Sequence, residues 1–173
     1  MDAKKVSEFI RDIPDFPKKG IIFKDITPLL ASKDAFKSAV ELMVQPYKNK
    51  GIDKVASMES RGFIFGAAVA MELGCGFIPI RKKGKLPYKT VSQTYQLEYG
   101  TDTLEIHEDA VSHSEKILIV DDVLATGGTA KAVCSLIEKI GGAVAGLCFL
   151  VELEFLKPRE KLAGRDIFSL IKY

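Results

Sequence analysis

The sequence is poor in the residues from which covalent or metal-based scaffolds are made. Only three of its 173 residues are cysteine and two are histidine. Cys75, Cys134 and Cys148 have no C-x-x-C spacing and each lies within or beside an apolar run, so we expect small buried side chains rather than a disulfide framework or a zinc site. His107 and His113 have no companions at metal-ligand spacing, and we expect surface or loop positions for them.

Long hydrophobic runs and a strong charge of one sign are also lacking. The longest apolar runs, residues 63–71 and 143–151, fall short of the ~18 residues that a membrane helix needs, and the first residues, MDAKKVSEFIRD, contain no apolar signal-peptide core. A net charge of +2 gives no reason to invoke nucleic acid or an anionic membrane. We therefore expect a cytoplasmic protein without a nucleic-acid or membrane partner.

The composition is that of an ordinary folded protein. Hydrophobic residues make up 47% of the chain and charged residues 28%, which argues against disorder. A chain of this length fits one domain and can bury about two-thirds of the surface that its unfolded form exposes. No internal repeat or low-complexity linker divides the sequence, so a single domain is expected over residues 1–173.

The common sequence motifs for nucleotide phosphates are absent, but a different phosphate pattern is present. No G-x-x-x-x-G-K-[ST] occurs, and no G-x-G-x-x-G follows a predicted strand. Residues 117–129 instead read ILIVDDVLATGGT. The continuous apolar run at 117–120 predicts a strand that is buried on both faces in a parallel sheet. Asp121 and Asp122 would then lie at the carboxyl end of this strand.

Small or hydroxylated residues follow the two acids: Ala125, Thr126, Gly127, Gly128 and Thr129. Apolar residues at helical spacing predict a helix over 130–140, so the backbone N–H groups of this loop would meet a phosphate at a helix N-terminus. Carboxylates repel a phosphate but accept hydrogen bonds from hydroxyls, so Asp121 and Asp122 suit the 2′ and 3′ hydroxyls of a ribose whose 5′-phosphate lies in the loop. A buried strand followed by an ordinary loop and helix is the simpler alternative.

The remaining pattern predicts an α/β protein with a mainly parallel, Rossmann-like sheet flanked by helices. A first helix would carry Val6, Phe9, Ile10 and Ile13 and end in the segment IPDFPKKG, where Pro14 and Pro17 forbid its continuation, and an extended, turn-rich segment would follow it. A second helix is predicted to be opened by Ser32, disturbed near Pro46 and closed by Gly51. A third helix is predicted at 63–73, and strands are predicted at 54–58, 77–80, 116–120, 144–151 and 167–171. The order of strand, helix and strand at 54–80 and again at 116–151 predicts two βαβ units with right-handed crossovers.

Two segments between these units have a different character. Residues 90–106 alternate like a strand pair with a turn at 99–102, and we interpret them as an excursion from the sheet that is either a lid or a structural β-ribbon. Five cations between Arg81 and Lys89 directly follow a strand end. They could bind a second anion such as pyrophosphate, bind nucleic acid, or form a solvated loop. The turn Glu59-Ser60-Arg61-Gly62 joins a strand to a helix and is a comparable candidate anion site.

Several segments together are similar to a known family. The string VDDVLATGGT resembles the signature of the purine and pyrimidine phosphoribosyltransferases. Segments that resemble the adenine-specific members are FPKKGIIFKDITPLL at 16–30, ESRGFIFG at 59–66, IRKKGKLP at 80–87, LEYG at 97–100 and LVELEFLKPREKL at 150–162. The resemblance implies the type I phosphoribosyltransferase fold, with an N-terminal hood at 1–31, a core at 32–152 carrying a flexible lid loop at about 81–107, and a C-terminal segment at 153–173.

The resemblance also implies a reaction. Adenine and 5-phosphoribosyl 1-pyrophosphate would give AMP and pyrophosphate in purine salvage, through an oxocarbenium-like transition state. Magnesium would be held by the substrate's pyrophosphate and ribose hydroxyls rather than directly by the protein. The family is usually dimeric, so a homodimer is expected.

Residue roles follow from the resemblance in the same way. Asp121 and Asp122 would hold the ribose hydroxyls and residues 125–129 the 5′-phosphate. Ser60, after a cis peptide bond, with Arg61, Lys82 and Lys85 would meet the pyrophosphate, and Arg81 would reach a neighbouring subunit's site. Glu98 would accept the imidazole proton of adenine and Tyr99 would help to close the lid. Phe23 would pack on the base, with the backbone of Ile22 and the side chain of Lys24 near its edge.

Other interpretations remain open from the sequence. Glu98 could be a solvent-facing residue and Phe23 a core aromatic. The chain could be a regulator that senses phosphoribosyl pyrophosphate, although such regulators carry a DNA-binding module, or a relative that acts on guanine or hypoxanthine. Lys24 replaces an arginine that some family members have, and Tyr88-Lys89 also departs from the family. Arginine and lysine differ in how they contact a planar base, so the contacts with the base depart from the family pattern here.

Overall fold

The computed structural model describes residues 1–96 and 100–173. Its helices are α1 (Ala3–Ser7), α2 (Thr27–Ala31), α3 (Lys33–Val44), α4 (Gly62–Leu73), α5 (Gly128–Lys139) and α6 (Pro158–Lys161). Its strands are β1 (Arg11–Pro14), β2 (Ile22–Asp25), β3 (Lys54–Met58), β4 (Gly76–Lys82), β5 (Thr90–Gln96), β6 (Thr101–His107), β7 (Lys116–Leu124), β8 (Ala143–Glu152) and β9 (Ile167–Lys172). Short 3₁₀ turns lie at Gln45–Tyr47 and Glu154–Leu156.

A mainly parallel sheet forms the centre of the molecule. Within the described residues it has seven strands in the order β5-β6-β4-β3-β7-β8-β9, of which β4, β3, β7, β8 and β9 run parallel. The two predicted βαβ units are present as β3-α4-β4 and β7-α5-β8, and the predicted last strand is β9. The prediction of a mainly parallel α/β fold is confirmed.

The middle strand β7 is apolar on both faces because each face has its own hydrophobic core. Leu118 and Val120 face a cluster that contains Met43 of α3 and Phe65 of α4. Ile117 and Ile119, which alternate with them, belong to a second cluster that contains Val133, Leu136 and Ile137 of α5. All four strand residues are fully buried. The continuous hydrophobic run therefore reflects helices on both sides of the sheet.

The N-terminal segment differs from its prediction. The helix α1 ends at Ser7, and Ile13 lies in strand β1 opposite Phe23 of β2. Pairing with β2 places residues 11–14 in a strand instead of the helix, and Asp15 has a left-handed φ of 57° in the turn that follows. The segment predicted as extended and turn-rich also contains α2, so the hood consists of a two-stranded sheet and two short helices.

The strand that carries the two acids is longer than predicted. It continues past Val120 to Leu124 because β8 pairs with it as far as Glu152. Asp121 and Asp122 consequently lie inside β7 rather than beyond its end. The helix α5 begins at Gly128, two residues before the predicted start, which shortens the loop between strand and helix.

Residues 90–107 form an antiparallel hairpin of β5 and β6 that extends the sheet. Strand β6 pairs with β4 at Arg81 and Lys82, so the segment is part of the sheet edge and not an excursion from it. Leu97, Glu98 and Tyr99 lie outside the described residues, and the roles of Glu98 and Tyr99 and the movement of a lid remain predictions.

The cysteines and histidines mostly match their expectations. Cys134 and Cys148 are buried and Cys75 is half-buried, and none forms a disulfide. Burial raises the pKa of the Cys134 thiol to about 11. His113 lies in an exposed turn, whereas His107 is half-buried in β6. Across residues 1–96 and 100–173, no helix is long and apolar enough to cross a membrane.

Candidate active site

A crevice lies at the point in the sheet where the crossover helices change from one face to the other. The chain leaves β3 through α4, which packs on one face, and leaves β7 through α5, which packs on the other. Ligands of open α/β sheets bind outside the carboxyl ends of strands at such a switch point. Here Arg61, which follows β3, and Asp122 of β7 meet as an ion pair with 2.7 Å between Nε and Oδ2.

The two acids of β7 have different surroundings. Asp122 pairs with Arg61, and its side chain is only 7% exposed. Asp121 accepts a hydrogen bond from the Asp122 backbone N–H at 2.9 Å. Burial, reinforced by the Asp122 charge, raises the pKa of Asp121 well above its usual value. A Cβ at Gly62 would collide with the Asp121 carboxylate, so the glycine lets α4 approach the acid closely.

The phosphate loop, residues 125–129, connects β7 to α5. Gly127 precedes the helix with a φ of +79°, and its carbonyl accepts the Lys131 N–H at 3.0 Å. The N–H groups in the first turn of an α-helix have no carbonyl four residues earlier to bind, so they point toward an anion. The loop therefore leads into a helix N-terminus, and its role as a phosphate site stays a prediction.

Strand β5 contacts this loop through a residue that the sequence did not single out. The Thr129 hydroxyl donates to the Tyr95 hydroxyl at 3.4 Å. At the other end of α5, Lys139 donates to the carbonyl of Ser92 at 3.2 Å. Tyr95 is one of several alternating residues in a predicted strand, and nothing in that alternation marks it as a neighbour of the phosphate loop.

The hood closes the crevice and leaves a pocket of about 340 Å³. The pocket is lined by Ile21, Ile22, Phe23, Lys24, Arg61, Asp121, Asp122, Val123, Ala125 and Leu153. The predicted base contacts Ile22, Phe23 and Lys24 thus lie in one cavity with both acids. The Arg61 guanidinium carbon is 5.0 Å from the centroid of the Phe23 ring, and Phe16 packs edge-on against the same ring at 5.2 Å.

Lys24 is held in place from two sides. Its ammonium lies 2.6 Å from an oxygen of Asp12 and 3.7 Å from the centroid of the Tyr173 ring. The side chain is only 12% exposed, although it carries a charge. The hood itself is fixed by Asp25, which binds Arg11 at 2.6 Å and the Thr27 N–H at 2.9 Å. Hydrogen bonding to Arg11 and Thr27 lowers the pKa of Asp25 to about 2.

The basic loop, residues 81–89, begins beside the turn that carries Arg61. Arg81 and Lys85 both contact one oxygen of Glu59, at 3.2 and 3.1 Å. Lys82 extends in the other direction and pairs with Asp102 at 3.1 Å. The Glu59-Ser60 peptide bond is cis, as the resemblance implies. The predicted pyrophosphate residues are therefore neighbours, and they gather around an acid that had no predicted role.

Arg81 does not reach away from the chain in this structure. Besides Glu59, it donates a long hydrogen bond of 3.4 Å to the carbonyl of Lys85 in the same loop. The prediction that it contributes to a neighbouring subunit's site remains open.

The sequence matches the family model for the phosphoribosyl transferase domain over residues 25–167. The chain belongs to the phosphoribosyltransferase family. This span includes the switch point, the basic loop, the hairpin and the phosphate loop, whereas the pocket residues Ile21 to Lys24 of the hood precede it.

Three proteins that are similar to this chain over nearly its full length share one name. A curated adenine phosphoribosyltransferase of Thermotoga sp. strain RQ2 is 59% identical over 173 residues, which cover all of both chains. A crystal structure of the enzyme of that name from Thermoanaerobacter pseudethanolicus superposes with a TM-score of 0.96 at 53% identity, covering 99% of both chains. The enzyme of that name from Saccharomyces cerevisiae, solved with adenine and an imino-altritol bisphosphate, superposes with a TM-score of 0.91 at 37% identity, covering 97% of both chains.

Proposed function

We propose that the chain is an adenine phosphoribosyltransferase, which converts adenine and 5-phosphoribosyl 1-pyrophosphate into AMP and pyrophosphate. The observation that carries the proposal is the pocket beneath the hood. It places the aromatic ring of Phe23, the Arg61 guanidinium and the two acids of β7 around one space of about 340 Å³ at the switch point. A planar base, a ribose and two anionic groups are the ligands that such a combination suits.

Adenine would stack between Phe23 and Arg61, because guanidinium groups stack on aromatic faces. A flat ring between two planar groups needs a contact distance of ~3.5 Å on each side, or about 7 Å in all. The present separation is 5.0 Å. The guanidinium must therefore move by about 2 Å when the base enters, and this movement would lengthen its pair with Asp122 and free the carboxylate for the ribose hydroxyls.

The opposite end of the substrate would lie on the basic loop. Lys82, Lys85 and the Ser60 backbone would contact the pyrophosphate, where negative charge grows as the bond to C1′ breaks. Magnesium fits the available donors. Mg²⁺ commonly binds through one or two carboxylates together with substrate phosphates, and the pocket offers two carboxylates beside the proposed ribose position.

Asp121 and Asp122 line the pocket in which the ribose would lie, and they would orient a magnesium-bound substrate. The metal would supply charge compensation for the leaving pyrophosphate. In the chemical step, the bond between C1′ and the pyrophosphate oxygen breaks, the pyrophosphate keeps the bonding electrons, and N9 of adenine forms the new bond to C1′. Glu98 would accept the proton that the imidazole ring loses.

The test is an assay of the purified chain with magnesium and 5-phosphoribosyl 1-pyrophosphate. Adenine, guanine and hypoxanthine are supplied in turn and nucleotide formation is followed by chromatography. AMP should form from adenine at a rate far above that of GMP or IMP from the other bases. Failure to form AMP would refute the proposal, and equal use of all three bases would refute the assignment of the hood pocket to adenine.

We also propose that the chain forms a homodimer through the outer side of α4. A helix that is apolar on all sides is normally buried on all sides. In α4, Ile64 and Met71 lie seven residues apart on the same face of the helix, and they are 40% and 85% exposed. Phe77 of β4 adds a further exposed aromatic ring beside it. A second copy of the chain would cover this stripe.

Sedimentation of Met71→Lys tests this interface, with Phe155→Lys as the control. Phe155 is also a largely exposed apolar residue, at 70%, but it lies in the C-terminal segment. The wild type and the Phe155 variant should sediment as dimers and the Met71 variant as a monomer.

A cytoplasmic location is proposed as well, because three free cysteines suit a reducing compartment.

A further inference from the structure

Glu59 is the buried acid around which the basic loop is arranged. Its side chain is only 10% exposed. One carboxylate oxygen accepts the backbone N–H of Lys82 at 2.6 Å. The other accepts from Lys85 Nζ at 3.1 Å and from Arg81 at 3.2 Å. A single carboxylate therefore contacts Lys82 and Lys85, to which a pyrophosphate role was assigned, and also Arg81, which was predicted to reach a neighbouring subunit's site.

The charge state of Glu59 matches these contacts. Burial by itself would raise its pKa, but the hydrogen bonds from Lys82, Lys85 and Arg81 outweigh burial and lower the pKa below its ordinary value. The group is therefore ionised at neutral pH. An ionised acid whose oxygens face the loop favours the loop conformation that brings these donors together, because charge-assisted hydrogen bonds are stronger than neutral ones.

The same loop is also held by acids of the β5-β6 hairpin. Gly84 donates its N–H to Glu105 at 2.9 Å, and Lys82 Nζ pairs with Asp102 at 3.1 Å. These two acids belong to the hairpin, whereas Glu59 precedes Ser60 and Arg61. Within the described part of the chain, the side chain of Glu59 connects the basic loop to the turn that carries the other predicted pyrophosphate contacts.

The cations keep donors for a ligand while they contact Glu59. A lysine ammonium has three N–H donors and a guanidinium has five, and each contact with Glu59 uses one. The side chains of Lys85 and Arg81 remain 50% and 35% exposed. An incoming polyphosphate can thus bind their free donors on the solvent side without displacing the carboxylate.

We propose that Glu59 is a positioning residue for the leaving group, and that its carboxylate sets the basic loop in the conformation that binds the pyrophosphate of the substrate. The proposal rests on the proposed phosphoribosyltransferase function. It predicts that replacing Glu59 lowers the affinity only for ligands that carry a pyrophosphate group. AMP occupies the base pocket and the phosphate loop but has no leaving group, so its affinity should not depend on Glu59.

The experiment compares Glu59→Gln with the matched variant Glu108→Gln. Both remove one negative charge near the same loop, but Glu108 pairs only loosely with Lys89, at 3.9 Å between two exposed side chains. Calorimetry would measure the dissociation constants of AMP and of magnesium 5-phosphoribosyl 1-pyrophosphate. We expect Glu59→Gln to weaken the second ligand about tenfold, since one or two charge-assisted hydrogen bonds are lost, and to leave AMP within about twofold.

Other outcomes would overturn the proposal. A tighter complex of the Glu59 variant with the substrate would mean that the carboxylate competes with the pyrophosphate. An equal loss for AMP would indicate general damage to the site, and an equal loss in Glu108→Gln would indicate a simple charge effect. Glu59→Asp, which retains the charge on a shorter side chain, should recover part of the affinity. A wild-type chain that binds neither ligand would refute the proposed function itself.

Discussion

Gly127 offers a test of how the phosphate loop obtains its shape. Its φ of +79° lies in the left-handed region, and a Cβ there would be 2.7 Å from the carbonyl oxygen of Pro158. Gly164 has nearly the same φ, +81°, but a Cβ at that position would have no neighbour within 4 Å. The substitutions Gly127→Ala and Gly164→Ala therefore impose the same backbone strain in different surroundings.

The difference between the two variants can be worked out from these contacts. A left-handed alanine costs roughly 1–2 kcal/mol relative to glycine. The lower conformational entropy of the unfolded alanine variant offsets ~0.4–1 kcal/mol of this cost. Gly164→Ala should therefore lower the free energy of unfolding by about 1 kcal/mol. Gly127→Ala must also displace a backbone carbonyl, which is an overpacking cost of about 1–3 kcal/mol. Its total should be about 2–4 kcal/mol.

Urea unfolding of both variants measures these values directly. In thermal unfolding, a chain of this size loses about 2–4 °C per kcal/mol. Because the Pro158 carbonyl borders the phosphate loop, Gly127→Ala should also weaken AMP binding, whereas Gly164→Ala should leave it unchanged. Equal destabilisation of the two variants would refute the contact with Pro158, and unchanged AMP affinity in Gly127→Ala would refute its link to the phosphate site.

Three further predictions concern the base, the proton and the hood. Phe23→Leu should raise the KM for adenine about tenfold and change the KM for 5-phosphoribosyl 1-pyrophosphate little, because only the base stacks on the ring. Steady-state kinetics with each substrate varied would measure both KM values, and equal changes in the two would count against stacking. Glu98→Gln should lower kcat by about 10²-fold or more and leave substrate affinity nearly unchanged, whereas a pure binding defect would rule out the proton role. The pKa of Asp25 is lowered from 3.8 to about 2 in the folded chain, so its contribution to stability is present above about pH 4 and lost as the pH falls toward 2. The free energy of unfolding of Asp25→Asn, measured by urea unfolding, should therefore differ most from that of the wild type at neutral pH. A difference that stays constant down to pH 2 would contradict this.

The sequence predicted the elements that depend on local pattern. The apolar run at 117–120 and the helical periodicity of α5 were sufficient to locate the phosphate loop, because burial on both faces leaves a continuous hydrophobic run. Strand ends were less accurate. Nothing local to Asp121 shows that β8 continues beside it, so the two acids were predicted beyond a strand that in fact contains them.

Contacts between distant segments were the least predictable part of the site. Glu59 and Lys85 are 26 residues apart, and Thr129 and Tyr95 are 34 apart. Such pairs depend on the order of strands in the sheet, which places β4 next to β3 and lays β5 along α5. The resemblance to the family supplied the roles of Arg61 and the basic loop, but the acid that joins them became visible only in three dimensions.

The ion pair between Arg61 and Asp122 has a consequence for how ligands enter. Without a ligand, each of these charges already has its partner across the crevice. A base that inserts beside Phe23 therefore replaces one favourable contact by another, and its net affinity is the difference between the two. Under the proposed function, ligand binding in this crevice would exchange one partner for another, and re-forming the pair would favour release of the nucleotide after the reaction.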